Sequence, residues 1–257
     1  MSPISAVIIT FNEEEHIARC IESLRKVADE ILVVDSFSTD RTEEICRELG
    51  ARFIRNPWQG YMEQKNFADS VALHDHILSV DADEALSEEL SDSILKLKRE
   101  GMACDGYFMN RMTCYCGTWI RHGSWYPDRK LRLFNRTKGA WGGGAIHESV
   151  KLDSQACTGF LRGDLLHYSY SSVDGHVRQA NHFSSLSAEE AFANGQRSGW
   201  GRILLSPLFR FLRDYIIRLG FLDGFYGYVV CRISAHATFL KYVKLRELYL
   251  KSRPARP

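Results

Sequence analysis

The stretch HILSVDADEAL, residues 76–86, decides the fold. Its first half is apolar, as is typical of a buried strand, and it runs directly into the carboxylates of Asp81, Asp83 and Glu84. Like charges this close together repel one another, so the segment is either a solvated turn or a place where a positive group binds. We expect Glu84 to begin the turn into the next helix.

Strand-like and helix-like runs alternate through the first hundred residues. The predicted strands are residues 6–10, 30–35, 51–56 and 76–83. Between and after them lie amphipathic runs, including an apolar helix stripe at Ile17, Cys20, Ile21 and Leu24. This alternation predicts an α/β fold with a doubly wound, mostly parallel sheet. In such sheets, ligands bind beyond the carboxyl ends of the strands.

Polar residues follow three of these strands and should meet at one edge of the sheet. They are Thr10, Asn12 and Glu13 after the first strand, Asp35 after the second, and Asp81 and Asp83 after the fourth. Paired carboxylates suit Mg²⁺ or Mn²⁺, which take oxygen ligands and often use only one or two protein carboxylates. No GxGxxG fingerprint follows the first strand, which argues against a Rossmann dehydrogenase.

The second part of the chain has a different pattern. Shorter runs of antiparallel character follow, at residues 105–117, 129–136, 146–152 and 163–170. We predict one domain over 1–170, with a nucleotide-binding half (1–100) and an acceptor half (101–170). A basic, amphipathic helical region should follow over 171–257.

Charge is divided unevenly along the chain. Residues 197–257 hold 12 Lys/Arg and 3 Asp/Glu, whereas the preceding residues hold 21 and 29. A basic, aromatic-rich helical tail suits the surface of a membrane with anionic lipids. Packing on the domain itself, or on a partner subunit in a homo-oligomer, is the alternative. No uncharged window is long enough to predict a transmembrane helix.

The cysteines and the start of the chain bear on location. The seven cysteines form no CxxC pair and no zinc-site spacing, and the chain begins without a basic leader segment. Both features favour a reducing cytosol. We therefore expect a cytoplasmic protein, and the composition gives no reason to expect a nucleic-acid partner.

Several motifs together resemble glycosyltransferase family 2, which has the GT-A fold. They are ISAVIITFNEEEHIARCIESL (4–24), EILVVDSFSTDRTEEICRELGARFI (30–54), QKNFA (64–68) and SVDADE (79–84). Three later segments, WYPDRKLRLFNR (125–136), GGGAIHESV (142–150) and LLHYSY (165–170), resemble bacterial lipopolysaccharide-core β-1,4-glucosyltransferases. This likeness implies a cytoplasmic protein that is peripheral on the inner membrane.

The resemblance also implies roles for single residues. Thr10, Asn12 and Glu13 would line the nucleotide pocket, Asp35 would bind the base, and Lys65 would approach the nucleotide. Asp81 would lie near the ribose and the metal, and Asp83 would ligate Mg²⁺ or Mn²⁺ on the diphosphate of a nucleotide sugar, with UDP as the default. Ser36 stands where the family often has a second Asp.

Three further positions follow from the residues themselves. His167 is a candidate third metal ligand or diphosphate contact, with a satisfied interior histidine as the alternative. Arg129 and Arg132 are expected to share one strand face and to reach donor phosphates or an anionic acceptor. A solvated strand face is the alternative for both arginines.

The expected reaction is an inverting transfer of a hexose to a lipopolysaccharide-core or other glycolipid or glycan acceptor. The resemblance implies that the hexose is glucose. Inversion requires one displacement and a base that deprotonates the acceptor hydroxyl. Glu148 is the predicted base, beyond the glycine run 142–144, with His147 and Asp128 as rivals. A nucleotidyltransferase using the same aspartates, and an inactive membrane-associated binding protein of the same fold, remain as alternatives.

Overall fold

The computed structural model describes residues 2–144 and 147–252. The contacts divide the chain into two units. The first contains residues up to 112 together with 128–168, and the second contains 113–127 together with the residues from 169 onward. The two-domain division at residue 170 stays a prediction, and the structure adds residues 113–127 to the helical unit.

The first unit begins with four parallel strands. They are β1 (Ile4–Thr10), β2 (Glu30–Asp35), β3 (Arg52–Arg55) and β4 (His76–Asp81), in the spatial order β3-β2-β1-β4. In the register, Thr10 lies beside Asp35 and Ile9 lies beside Asp81. The carboxyl ends of these strands therefore meet at one edge, as the sequence predicted.

Antiparallel strands continue the sheet beyond β4. Those that follow β4 in the chain are β5 (Glu84–Leu86), β6 (Gly106–Tyr115), β7 (Thr118–Ile120), β8 (Asp128–Asn135), β9 (Gly139–Gly144), β10 (His147–Leu152) and β11 (Thr158–Tyr170). The order from β4 is β8-β6-β11-β5, while β9 and β10 form a separate antiparallel pair. The glycine run at 142–144 is therefore part of a strand rather than a loop.

Helices cover both faces of the parallel strands. The helices of the first unit are α1 (Ile17–Leu24), α2 (Thr42–Glu48), α3 (Tyr61–Val71) and α4 (Glu88–Glu100). The predicted α1 stripe is fully buried against β1 and β4, in a cluster that also holds Leu90 and Ile94 of α4. On the other face, Ala68 of α3 packs with Phe134 and Trp141. Burial of each large apolar side chain contributes about 1.5–3 kcal/mol.

The second unit consists mainly of helices. They are α5 (Val173–Ala193), α6 (Trp200–Leu212), a π-helical turn (Arg213–Ile217), a 3₁₀ turn (Gly220–Asp223) and α7 (Gly224–Lys251). Its aromatic core centres on the fully buried Tyr115, which contacts the rings of Trp125, Tyr170, His176 and Tyr226. No helix among the described residues has both the length and the apolar character that a membrane span requires.

One covalent link was not predicted from the sequence. Cys104 and Cys157, 53 residues apart in the chain, form a disulfide in the first unit. The thiols of Cys20, Cys46, Cys114, Cys116 and Cys231 are free. The odd number of cysteines thus did not exclude one pair.

Candidate active site

A cavity of about 710 Å³ opens at the carboxyl ends of β1 and β4. Cavities of this volume are typical of small-molecule sites, and the position is where α/β sheets bind ligands. Carboxylates, hydroxyl groups, a histidine and aromatic rings line it: Ile9, Thr10, Phe11, Glu13, Ser36, Trp58, Tyr61, Asp81, Ala82, Asp83 and His167.

Asp35 holds together the loops that follow β1 and β2. Thr10 Oγ1 donates to Asp35 Oδ1 at 3.0 Å, and the Ser38 amide donates to Oδ2 at 2.8 Å. The Ser38 hydroxyl also donates to this carboxylate. Asp35 is buried and is not among the residues that line the cavity. Contact between Asp35 and a base stays a prediction, and the structure adds a role in ordering the loop.

Asn12 also connects the loop after β1 to the loop after β2. Its backbone is left-handed, with φ of 54°, a conformation that asparagine tolerates better than most residues. The side-chain Oδ1 accepts from the Thr39 amide at 2.9 Å, and the Asn12 amide donates to Ser38 Oγ at 2.8 Å. Four of the residues predicted to bind the nucleotide follow β1 or β2. Thr10 and Glu13 line the cavity, whereas Asn12 and Asp35 hydrogen-bond between the two loops.

Asp81 is held between two buried cations. Lys65 Nζ lies 3.1 Å from Asp81 Oδ1, and Arg132 Nη2 lies 2.6 Å from Oδ2. Burial alone would raise the pKa of Asp81, but Arg132 and Lys65 hold that pKa well below its usual value. Asp81 is therefore ionised at physiological pH, and its charge is already offset before any ligand binds.

Glu84 holds both Arg132 and the backbone of Asp81 in place. Its side chain is fully buried and contacts Arg132 at 3.1 Å and Arg111 at 3.4 Å, and it accepts from the Asp81 amide at 2.9 Å. The expectation that Glu84 begins the turn into the next helix is wrong. Glu84 begins β5, and α4 starts only at Glu88, because the carboxylate is needed to pair the two arginines.

Asp83 and His167 form a second, separate pair in the cavity. His167 Nε2 lies 3.0 Å from Asp83 Oδ2, and both side chains remain partly exposed. Glu13 is close enough that burial and the charge of Asp83 raise its pKa. The carboxylates of Glu13 and Asp83 therefore lie near each other in the cavity.

The residues present fit a divalent cation that is completed by a ligand. Within residues 2–144 and 147–252, no group of three or more His, Cys, Asp or Glu side chains is arranged to hold a metal ion. Asp83 and His167 could supply one oxygen and one nitrogen, a donor set that Mn²⁺ accepts and Mg²⁺ accepts in part. Phosphate oxygens and water would have to provide the remaining ligands.

Glu148 belongs to the same cluster of charges. Its Oε1 lies 3.7 Å from Lys65 Nζ, so one ammonium group joins Glu148 to Asp81. Burial and the negative charges of Glu148 and Asp81 raise the pKa of Tyr61, which lines the cavity. Glu148 thus reaches the cavity wall from β10.

Asp128 and His147 are the two rivals of Glu148 for the role of base. Asp128 is paired with Arg111, through contacts of 3.0 and 2.8 Å, and with Lys130 at 3.1 Å. Asp128 is therefore engaged by two cations. The side chain of His147 lies outside the described residues.

The two predicted phosphate-binding arginines do not share a face. Arg132 is buried beside Asp81, whereas Arg129 is exposed and its guanidinium lies 5.4 Å from the ring of Phe160. An offset of three residues on a strand places side chains on opposite faces, so that expectation was wrong. Only Arg132 belongs to the site, and it is already engaged by two carboxylates.

Two features of the site went unnoticed in the sequence. Trp58 and Tyr61 are half exposed at the cavity, with ring centroids 4.7 Å apart. Asn66 fixes β9 to α3, because its side chain donates to the Trp141 carbonyl and accepts from the Trp141 amide, both at 3.0 Å. Asn66 directly follows Lys65 in the QKNFA motif, so the motif that indicated Lys65 could also have indicated Asn66.

The family model for glycosyl transferase family 2 matches residues 5–160, more than half of the chain. The chain belongs to glycosyltransferase family 2. The match includes β2 to β4, nearly all of β1, the loops that follow β1 and β4, and the hairpin that carries Glu148, while His167 lies beyond it. The α/β, GT-A-like fold and the glycosyltransferase class expected from the motifs are therefore confirmed.

Two relatives extend the likeness over nearly the whole chain. An uncharacterized glycosyltransferase of Rickettsia typhi is 37% identical over 262 residues, which cover 98% of this chain and 90% of that protein. The lipopolysaccharide core biosynthesis glycosyltransferase LpsC of Rhizobium meliloti is 31% identical over 260 residues, with 98% and 95% covered. The second unit is thus shared with both relatives.

Among solved structures, glucosyl-3-phosphoglycerate synthase from Mycobacterium tuberculosis, in complex with Mn²⁺ and UDP-glucose, matches with a TM-score of 0.37 and 23% identity. The match covers 44% of this chain and 44% of that chain. The chain therefore spans less than half of this solved relative, and a likeness of this extent does not establish shared ligands.

Proposed function

We propose that this family 2 glycosyltransferase is metal-dependent and inverting, and that it moves a hexose from a nucleoside diphosphate sugar to a lipopolysaccharide-core or related glycolipid acceptor. The observation that carries the proposal is the division of charge in the cavity. Asp83 and His167 stand 3.0 Å apart and are partly exposed at the cavity, whereas Asp81 is neutralised by Lys65 and Arg132.

The division of charge supports separate tasks for the two aspartates. A divalent cation on Asp83 and His167 would stabilise the charge that develops on the departing diphosphate. Asp81, held in place by Lys65 and Arg132, would orient the donor through its remaining lone pairs. The half-exposed rings of Trp58 and Tyr61 offer faces on which a base or a sugar can stack.

Glu148 is proposed as the base that accepts the proton of the acceptor hydroxyl. One contact and its position support this role. Lys65 Nζ lies 3.7 Å from its carboxylate, β10 carries it in the β9–β10 pair, and its charge helps to raise the pKa of Tyr61 in the cavity wall. Proton transfer of this kind requires the acceptor hydroxyl within hydrogen-bonding distance of the carboxylate.

The acceptor class is proposed from the relatives and from the second unit. LpsC is named for lipopolysaccharide core biosynthesis and covers 98% of this chain. The turns between α6 and α7 and the first turn of α7 expose large apolar side chains, among them Ile217 at 71% and Phe225 at 72%, and Arg218 is exposed next to Ile217. We propose that this surface attaches the protein peripherally to an anionic membrane on which such acceptors are made.

A panel of nucleotide sugars tests the activity. Purified protein would be incubated with UDP-glucose, other UDP-hexoses and GDP-mannose, with Mn²⁺, Mg²⁺ or EDTA, and both thermal stabilisation and slow donor hydrolysis would be measured. One nucleotide sugar should raise the melting temperature only with metal, because a ligand that binds the folded state stabilises it by mass action. Absence of stabilisation and of hydrolysis across the whole panel would refute the proposal.

A further inference from the structure

Two cavities in the helical second unit adjoin each other and lie outside the donor site. The first, about 280 Å³, is lined by Trp125, Tyr170, Ser184 and Lys241 among others, and we call it the aromatic cavity. The second, about 390 Å³, is lined by Leu205, Ser206, Phe209, Arg210, Arg213, Thr238 and Tyr242, and we call it the arginine cavity. Arg210 and Thr238 line both cavities, so the two form one groove.

Positive charge in this groove exceeds negative charge. Arg210 and Arg213 both contact Asp214, the latter at 2.8 Å, so two guanidinium groups share one buried carboxylate. Burial would raise the pKa of Asp214, but the contacts with Arg213 and Arg210 lower it, so it stays ionised. This trio therefore carries a net charge of about +1 at neutral pH.

Two lysines of α7 add to this excess. Lys241 lines the aromatic cavity. Lys244 donates to oxygens of Asn181, Ser184 and Ser185 at 2.7–2.8 Å, none of which is a carboxylate. No carboxylate of the described residues lines either cavity. Burial lowers the pKa of His176 to about 4, so this lining residue is neutral and does not add to the charge.

The non-polar walls fit a saccharide and an acyl chain. Trp125 and Tyr170 stack with centroids 5.3 Å apart, and aromatic faces of this kind pack against sugar rings. Hydroxyl groups of Ser184, Ser187 and Thr238 lie along the same cavity. At the other end, Leu205 and Phe209 are more than 60% exposed, and nothing described in the chain covers them.

We propose that this groove binds the phosphorylated saccharide headgroup of an acylated glycolipid. The phosphate lies among Arg210, Arg213 and Lys241, where the planar guanidinium groups can each donate two parallel hydrogen bonds. The sugar stacks in the aromatic cavity, and the acyl chain leaves along Leu205 and Phe209. The inference rests on the proposed function, because it names the class of acceptor that the transferase recognises.

The test measures glycolipid binding without donor or metal. The probe is a bisphosphorylated, acylated glucosamine disaccharide in detergent micelles, titrated into the full chain by calorimetry. Its dephosphorylated form, its deacylated form and inorganic phosphate are titrated in parallel. Lys241→Glu is compared with Arg232→Glu, which makes the same charge change at an exposed position on α7 that lines neither cavity. Lys241→Met removes the charge without reversal.

The wild-type chain should bind the phosphorylated probe, and both Lys241 variants should weaken binding about ten-fold or more, as expected for loss of a charged contact. Arg232→Glu should change it less than two-fold. Loss of phosphate should abolish binding, and loss of the acyl chains should weaken it. Melting temperatures close to the wild-type value would show that the variants fold.

Three outcomes would overturn the inference. They are equal effects of Lys241→Glu and Arg232→Glu, which would indicate attraction by surface charge alone; equal binding of the dephosphorylated probe; and inorganic phosphate that binds as tightly as the glycolipid. Donor binding is measured separately. A chain that binds the glycolipid but no nucleotide sugar would therefore refute the proposed function and leave the groove in place.

Discussion

Lys65 and Asp81 form a buried ion pair, with Nζ 3.1 Å from Oδ1, and the same ammonium lies 3.7 Å from Glu148. The side chain of Lys65 is only 6% exposed and lies 4.3 Å from the centre of the Trp141 ring. One cation from α3 therefore links Asp81, at the end of β4, to the hairpin that carries the proposed base.

Replacement of Lys65 by Met should lower donor turnover about a hundred-fold, the usual effect of losing one charged group in an active site. Asp81 keeps Arg132, so its pairing survives, but Glu148 loses its ion pair with Lys65. Initial rates of nucleotide-sugar hydrolysis would measure the effect. Lys96→Met, at an exposed position of α4, is the control and should retain the wild-type rate.

Replacement of Glu84 by Gln should destabilise the fold by about 3 kcal/mol or more, because the change leaves buried arginine charge without its carboxylate. Glu84 is fully buried, whereas Glu88 lies in the first turn of α4 and is exposed. Urea unfolding of both Gln variants gives the comparison. Similar losses in Glu84→Gln and Glu88→Gln would contradict the anchoring role.

Asp69 should make the protein lose stability as pH rises from about 4 to about 7. Burial raises the pKa of Asp69 to about 7, and Lys65 and Trp141 offset this only in part. Because the folded state disfavours the ionised form, stability is fully present below the unfolded pKa and is lost as pH rises through about 7. The loss should approach about 1.4 kcal/mol per pH unit between the unfolded pKa of about 4 and the folded pKa of about 7, and it should level off above pH 7 because both states are then ionised.

The difference between wild type and Asp69→Asn isolates this effect from other titrating groups. Urea unfolding from pH 4 to 9 should give stability curves that diverge between pH 4 and 7, where the wild type loses stability relative to the Asn variant, and that run parallel above pH 7. Asp92→Asn, at an exposed position of α4, should follow the wild type throughout. Curves for wild type and Asp69→Asn that stay parallel over the whole range would show that Asp69 does not titrate in this range.

Exposed apolar residues in the turns after α6 and at the start of α7 should attach the protein to anionic membranes. Ile217→Glu and Phe225→Glu should each reduce co-sedimentation with phosphatidylglycerol vesicles at least several-fold, since each change removes apolar contact and adds repulsion. Leu73→Glu, at a 66% exposed position of the first unit, should have little effect. Equal binding by all three variants would place the contact elsewhere.

Hydrophobic periodicity was sufficient to predict the parallel half of the sheet. The α1 stripe and the carboxyl-end positions of Asp81 and Asp83 follow from local patterns alone. Asp35 and Asn12 were located correctly along the chain, yet the sequence did not reveal that they use their polar atoms on neighbouring loops. Such contacts join residues more than 20 positions apart, and a local pattern cannot report them.

The antiparallel half was harder to predict for the same reason. The role of Glu84 depends on Arg111 and Arg132, which arrive from β6 and β8 only after the sheet has formed. The error over Arg129 arose within one strand, from the alternation of faces. The disulfide between Cys104 and Cys157 required the pairing of distant segments.

The central claim is that Asp83 and His167 bind a divalent cation together with the donor diphosphate, while Asp81 does not depend on metal for its charge balance. Calorimetric titration of UDP with and without Mn²⁺ tests it most directly, in the wild type, in Asp83→Asn and in Asp92→Asn. Wild type and Asp92→Asn should bind at least ten-fold more tightly with Mn²⁺, and Asp83→Asn should lose that gain. Equal enhancement by Mn²⁺ in Asp83→Asn and in wild type would contradict the account.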